Sequence, residues 1–272
     1  MVEVSEQVEK EISALKEAVA AIAQEVYSLY ANYLAALGQA VQQQLILASF
    51  HLCTQAYPEA FLSLPLQQKQ ELQQALQYLG QEAQQQIQTF SLLLPVAGGD
   101  ASDPDKLVEA IARLESAILE ELQQISQVAN RTLEEFNILS APAVEIALEV
   151  AAKAEALGGA VGGPPNLLTA IMEEEGSLPE GSLLMSVESL DQIAKPESKQ
   201  QESTATEIVA IYLRLAEIEF VDSTVMAWRN HLRKLSTQLT GVQRELAKKQ
   251  RQRMVAEAEA VWRASWSNGY ES

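Results

Sequence analysis

The stretch Val8–Tyr33 reads "VEKEISALKEAVAAIAQEVYSLYANY". Its apolar residues Val8, Ile12, Leu15, Val19, Ile22, Val26, Leu29 and Tyr33 recur at alternating steps of four and three. Such steps average about 3.5 residues, so the stripe stays on one side of a helix and faces a partner helix. The stripe continues less strictly through Leu37, Val41, Leu45, Ala48 and Leu52, with Gly38 a candidate bend. "YPEAF" at 57–61 should end the helix, because Pro58 has no N–H to donate and disfavours helix at Tyr57. This segment implies a fold of long packed helices.

Working outward, the same period recurs. A second helix is expected after "SLP" at 63–65, with Leu72, Leu76, Leu79, Ala83, Ile87 and Phe90 on one face. Eleven of the twenty-two residues from Gln67 to Gln88 are Gln, which by composition alone resembles a low-complexity tract. The apolar spacing argues instead for a helix with a neutral polar face. Asp103 followed by Pro104 is an N-cap and first-turn pair, and opens a third helix. That helix carries Leu107, Ile111, Leu114, Ile118, Leu122, Ile125, Ala129, Leu133 and Phe136. "SAP" at 140–142 should restart a shorter helix that stops at "GGAVGGPP", with a brief helix over Asn166–Glu175.

Residues 176–203 are rich in Ser, Glu, Gly and Pro and have little helical period, which marks a linker. Leu183, Leu184, Met185 and Val187 within it could form a short docking segment. "TATE" at 204–207 has the form of a capping box, so a helix bearing Ile208, Ile211, Tyr212, Leu215 and Ile218 is expected next. "VDST" at 221–224 breaks it, with Asp222 or Ser223 capping the next helix. The final seam is Val225, Trp228, Leu232, Leu235, Leu239, Val242 and Leu246. Unbroken from Thr224 to Trp266, that helix would be roughly 65 Å long. The expectation is an all-α protein. An N-terminal bundle at 1–160 is joined by a linker at 161–203 to a C-terminal helical hairpin or coiled coil at 204–272. No strand pattern of useful length stands out.

Composition narrows the function. The chain has 272 residues and a net charge of −18. The last fifty residues hold nine Lys/Arg against four Asp/Glu, whereas the first 222 hold ten against thirty-three. An acidic body should repel nucleic acid and anionic lipid, and a basic end suggests a separate contact surface. The two parts could equally attract each other within one fold. Cys53 is the only cysteine, so no intramolecular disulfide can form and nothing points to an oxidising compartment. The first residues are acidic and periodic, unlike a secretory signal, and no run of about twenty apolar residues occurs. The expected setting is cytoplasmic, with contact at a membrane surface as a further option.

The chemistry-bearing residues do not assemble into a recognisable site. His51 and Cys53 are two apart and so lie on different helix faces. With His231 they supply no CxxC or HExxH, so no metal or cofactor is expected. The glycine pairs at 158–159 and 162–163 lack the lysine and leading strand of a phosphate loop. Glu173, Glu174 and Glu175 read as a solvated helix end, and Glu217 and Glu219 point to different faces. These residues argue against an enzyme.

The basic end is the remaining candidate. After Leu246 the seam loses its large apolar residues, while Met254, Val255, Ala258, Val261, Trp262 and Trp266 define a shifted stripe. Arg244, Lys248, Lys249, Arg251 and Arg253 lie between or beside the two. Trp262 and Trp266 are one turn apart on one face, and Trp with Arg is the composition of binding hot spots. Three uses fit: an acidic protein partner or a second copy, an anionic membrane surface, or simple closure of a bundle end with the cations outside. Nucleic acid fits least, for want of a reading motif.

"IYLRLAEIEFVDSTVMAWRNHLRKLS", followed by "AEAEAVWRASW", resembles the C-terminal region of an uncharacterised family of helical proteins from cyanobacteria. The resemblance spans the last quarter of the chain. It implies a cytoplasmic or thylakoid-facing setting and brings no activity or functional residue with it.

Overall fold

A computed structural model describes residues 2–94, 103–140, 164–173 and 205–267. The fold is all-α, with one small two-stranded sheet among the described residues. The long helices are α1 (Val2–His51), α3 (Leu66–Thr89), α4 (Pro104–Glu135) and α6 (Ser223–Ser267). The short helices are α2 (Pro58–Ser63) and α5 (Leu215–Val221). Strands β1 (Leu167–Glu173) and β2 (Ala205–Ile211) pair antiparallel.

Helix α1 is the spine. It packs against α3 along one side and α6 along the other, and α4 touches both of those helices. Two close approaches fix α3 as antiparallel to α1: Gly38 lies against Gln84, and Gly80 against Gln42. An added Cβ at Gly38 would stand 2.9 Å from the Gln84 carbonyl oxygen. The helix runs on through Gly38. Its missing side chain therefore serves backbone proximity, where the sequence suggested a bend. Helix α6 is also antiparallel to α1, since Arg229 sits over the Tyr33 ring while Lys249 pairs with Glu11.

The heptad residues form the core. Val19, Tyr33, Leu34, Leu37, Val41 and Leu45 of α1 are fully buried, as are Leu52 just after it and Leu114 and Leu133 of α4. In the first half of α1, Ile12, Val19 and Val26 are buried while Val8, Leu15, Ile22 and Leu29 are half-buried. That half has α6 beside it, whereas the second half adds α3. Both ends of α4 follow local chemistry. The Asp103 carboxylate accepts from the Asp105 N–H, as its N-cap role requires. At the other end Asn137 takes φ 56°, and the Ile138 N–H reaches back to the Leu133 carbonyl. This is a Schellman closure with Asn in the glycine position. Asp222 caps α6 by accepting from the N–H groups of Thr224 and Val225.

The structure corrects three expectations. Helix α1 gives way to a π-helical turn at Leu52–Ala56, and Pro58 opens α2 as well as closing the segment before it. Residues 167–173, placed in a brief helix within the linker, form β1. Residues 205–211, placed in a helix behind a capping box, form β2. The expected C-terminal hairpin is therefore a strand, a short helix and one long helix. Its apolar residues Val209, Ile211, Ile218, Leu232 and Leu239 share one core with α1, α3 and α4. The helix expected from "SAP" to "GGAVGGPP", the linker at 176–203 and its apolar segment lie outside the described residues.

Candidate functional site

Two polar clusters sit inside the fold, and each ties distant segments together. The first is centred on Arg229 of α6. Its guanidinium donates to the Glu115 carboxylate of α4 at 2.6 Å and stands 3.2 Å from that of Glu219 of α5. Tyr33 of α1 donates to Glu219 at 2.6 Å, and Tyr30 donates to Glu115 at 3.1 Å. Burial pushes both phenols well above their usual range, and the carboxylates they face add to the shift. Burial works against the Arg229 charge, but Glu115, Tyr33 and Glu219 outweigh it and hold the guanidinium protonated. The cluster thus pairs one cation with two carboxylates and two neutral phenols, contributed by four helices.

The second cluster fixes the two strands. Asn166 precedes β1 with φ 59° and is fully buried. Its N–H donates to Glu217, its side-chain amide donates to Gln44, and its side-chain oxygen accepts from the Arg214 N–H. The outer edge of β2 is closed by side chains. Asn130 of α4 exchanges two hydrogen bonds with the Ile211 backbone, at 2.9 and 2.8 Å. The Tyr57 hydroxyl does the same for Val209, and Ser126 accepts from the Leu213 N–H. An exposed strand edge is a template for pairing with another chain, and these groups occupy it. Glu217 and Glu219 do point to different faces, and each is the acceptor of a different cluster.

Most of these groups pair with one another rather than converging on open space, while buried Arg229 Nε stands beside Glu219 without a hydrogen bond. Among the described residues, no three His, Cys, Asp or Glu residues stand close enough to hold a metal ion. Cys53 is buried, and burial pushes its thiol up to about 11, so it stays protonated near neutral pH.

The surface candidate is the end of α6. Leu239 and Leu246 are the last buried residues of its seam, and every residue from Arg251 to Ser265 is exposed. At about 100° per residue, Leu235, Leu239 and Leu246 mark the side facing the bundle. Met254, Ala258, Val261 and Ser265 fall roughly 90° around the helix from that side. With Trp262, which is 66% exposed, they line a shallow groove along the helix. The seven residues singled out in the sequence divide here. Arg244, Arg251 and Arg253 are exposed, and exposed Lys248 lies 3.9 Å from Glu245 of its own helix. Lys249 turns inward to Glu11 of α1, and with Gln7 it holds that carboxyl below its ordinary range. Trp262 lies on the outer stripe. Trp266 is in the last turn of α6, and its side chain lies outside the described residues.

Sequence reasoning missed Tyr30, Glu115, Asn130, Asn166 and Arg229. The available signal was a polar residue beside a buried seam position, as Asn130 beside Ala129 and Glu115 beside Leu114. Such a signal marks a candidate but does not name its distant partner. Among the described residues no helix is long and apolar enough to cross a membrane. No family model, no curated protein and no solved structure matches the chain.

Proposed function

We propose that this protein is a non-enzymatic interaction or scaffold protein that recognises a partner helix through the outer face of α6. The observation that carries this reading is the exposed stripe from Arg251 to Ser265, which lies well around the helix from the side α6 turns to its own bundle. Met254, Val261 and Trp262 supply apolar anchors, and Arg244, Lys248, Arg251 and Arg253 supply cations beside them. Arg and Trp together are the residues that dominate binding energy at protein interfaces. Cations at the rim raise the encounter rate with acidic surfaces more than they add affinity. The interior supports the same reading. Its polar groups are used to hold helices and strands in place, which suits a rigid platform for a projecting helix.

The test is retention of a partner from cell extract on the immobilised full chain. A variant with Arg244, Lys248, Arg251 and Arg253 changed to Gln and Trp262 changed to Ala runs alongside. The reading expects a protein held by the parent and released from the variant. Equal retention by both would sink it. Flotation with anionic and neutral vesicles separates the membrane alternative. Salt-sensitive flotation on anionic vesicles, lost in the variant, would move the function of the same helix to a lipid surface.

A further inference from the structure

The outer stripe of α6 is not uniformly basic. Its first half carries Arg244, Lys248 and Arg251, and its second half carries Glu259 and Trp262. A purely acidic partner helix would match the first half and meet like charge in the second. The two halves instead complement each other when one copy is laid antiparallel on another.

We infer that the partner of this face is a second copy of the chain, with two α6 ends crossing antiparallel about a twofold axis near Val255. This rests on the reading of α6 as a recognition helix. In a pairing centred on Val255, positions equidistant from it face each other, so Arg251 meets Glu259 of the second copy, and Lys248 meets Trp262. The twofold repeats both pairs, as an isologous interface requires. In an antiparallel pair the same flank of each helix comes together. Lys248, Arg251, Val255, Glu259 and Trp262 all fall on one flank at about 100° per residue. Val255 meets its own copy on the axis, with Met254 and Ala258 beside it. Glu259 pairs with Arg263 of its own helix at 3.0 Å, and because both side chains are more than half exposed that pair is weak enough to be shared with the incoming arginine. Lys248 over an indole face adds a cation–π contact.

Net charge does not forbid the dimer. The crossing point lies beyond Leu246, where the buried seam ends, so the acidic bodies sit to either side. Charges further apart than about 8 Å are largely screened at physiological ionic strength. A crossing of two helix ends buries an area at the small end of specific interfaces, below roughly 1,200 Å² in total. Association should therefore be reversible on dilution.

Sedimentation equilibrium of the full chain over a wide concentration range reads this directly. The parent should pass from monomer to dimer. Arg251→Glu and Glu259→Arg should each weaken association by about tenfold or more, because each sets like charges against each other. The double variant should restore it, since the pair is rebuilt with its signs exchanged. All these residues are exposed, so helical content and unfolding midpoint should stay at parental values. A parent that is monomeric throughout overturns the inference, as does a dimer indifferent to all three variants. Single losses without rescue in the double variant overturn the antiparallel pairing. A monomeric parent that still retains another protein through the intact arm overturns the second copy alone and leaves the recognition reading standing.

Discussion

The two halves of α6 are one continuous helix with opposite fates. From Val225 to Leu246 its seam is buried except at half-buried Trp228 and Val242, and its polar residue Arg229 is tied to three neighbouring helices. From Arg251 to Ser265 nothing is buried, and the apolar residues have moved to another side of the helix. Helical period governs both halves equally. The difference is the neighbour alongside. Among the residues whose side chains are described, α1 has its last buried one on this end at Ile12, close to where α6 has its last at Leu246. The apolar stripe then shifts by about a quarter to a third of a turn, away from the face that α1 occupies. An amphipathic pattern thus says that a face will be covered, and its phase says whether the cover is already in the chain.

The largest effect should come from testing that contrast with matched truncations. Leu239→Ala empties a fully covered core position and should cost about 2–5 kcal/mol. Met254→Ala removes a comparable side chain from the exposed stripe and should change stability by no more than about 0.5 kcal/mol. Denaturant unfolding at low protein concentration measures both, and low concentration keeps self-association out of the comparison. Similar losses at the two sites would mean that the outer stripe is buried within the monomer.

That contrast also explains which parts of the fold are legible in the sequence. The seams of α1, α3, α4 and α6 are, because each buries a stripe whose spacing is set by the helix itself. The Asp103–Pro104 start and the Asp222 cap are legible for the same local reason. The strands are not. Ile208, Ile211, Leu215 and Ile218 keep steps of three and four, and "TATE" imitates a helix start. Residues 208–211 are buried on both faces, so the period-two alternation of a half-exposed strand is lost. The forces that hold them as a strand are non-local: β1, with its partner residues thirty or more positions away, and Asn130 and Tyr57 on the other edge. At the candidate site the exposed cations and Trp262 are legible as a stripe. The inward turn of Lys249 is not, since it depends on where Glu11 comes to rest.

A smaller effect should come from unpairing the buried half of α6. Arg229→Leu leaves the carboxylates of Glu115 and Glu219 without their cation. Removing one member of a buried pair typically costs about 3–5 kcal/mol. Glu115 is 39% exposed, and solvent should bring the loss to about 2–3 kcal/mol. Replacing the set together, as Arg229→Leu with Glu115→Gln and Glu219→Gln, should cost less than the single change. A triple variant weaker than the single one would show that the cluster stabilises through packing rather than charge.

The smallest effects come from three glycines, and their order tests how closely the spine is packed. Alanine is the better helix former by about 1 kcal/mol, so each Gly→Ala starts with a gain. At Gly241 of α6 nothing lies within 4 Å of the new Cβ, and the gain should appear nearly whole. At Gly80 the new Cβ meets Gln42 Cγ at 3.0 Å, the middle of a flexible side chain that can turn aside, and the balance should fall near zero. At Gly38 the obstacle is backbone, the Gln84 carbonyl oxygen at 2.9 Å and its Cα at 3.2 Å, so α1 and α3 must separate. Overpacking of that kind costs about 1–3 kcal/mol and should outweigh the gain. Unfolding midpoints should therefore rank Gly241→Ala above Gly80→Ala above Gly38→Ala. If Gly38→Ala were as stable as Gly241→Ala, α3 would not approach α1 as described. The bundle half of the molecule would then be no more tightly covered than the exposed end of α6, and the contrast between the two would lose its physical basis.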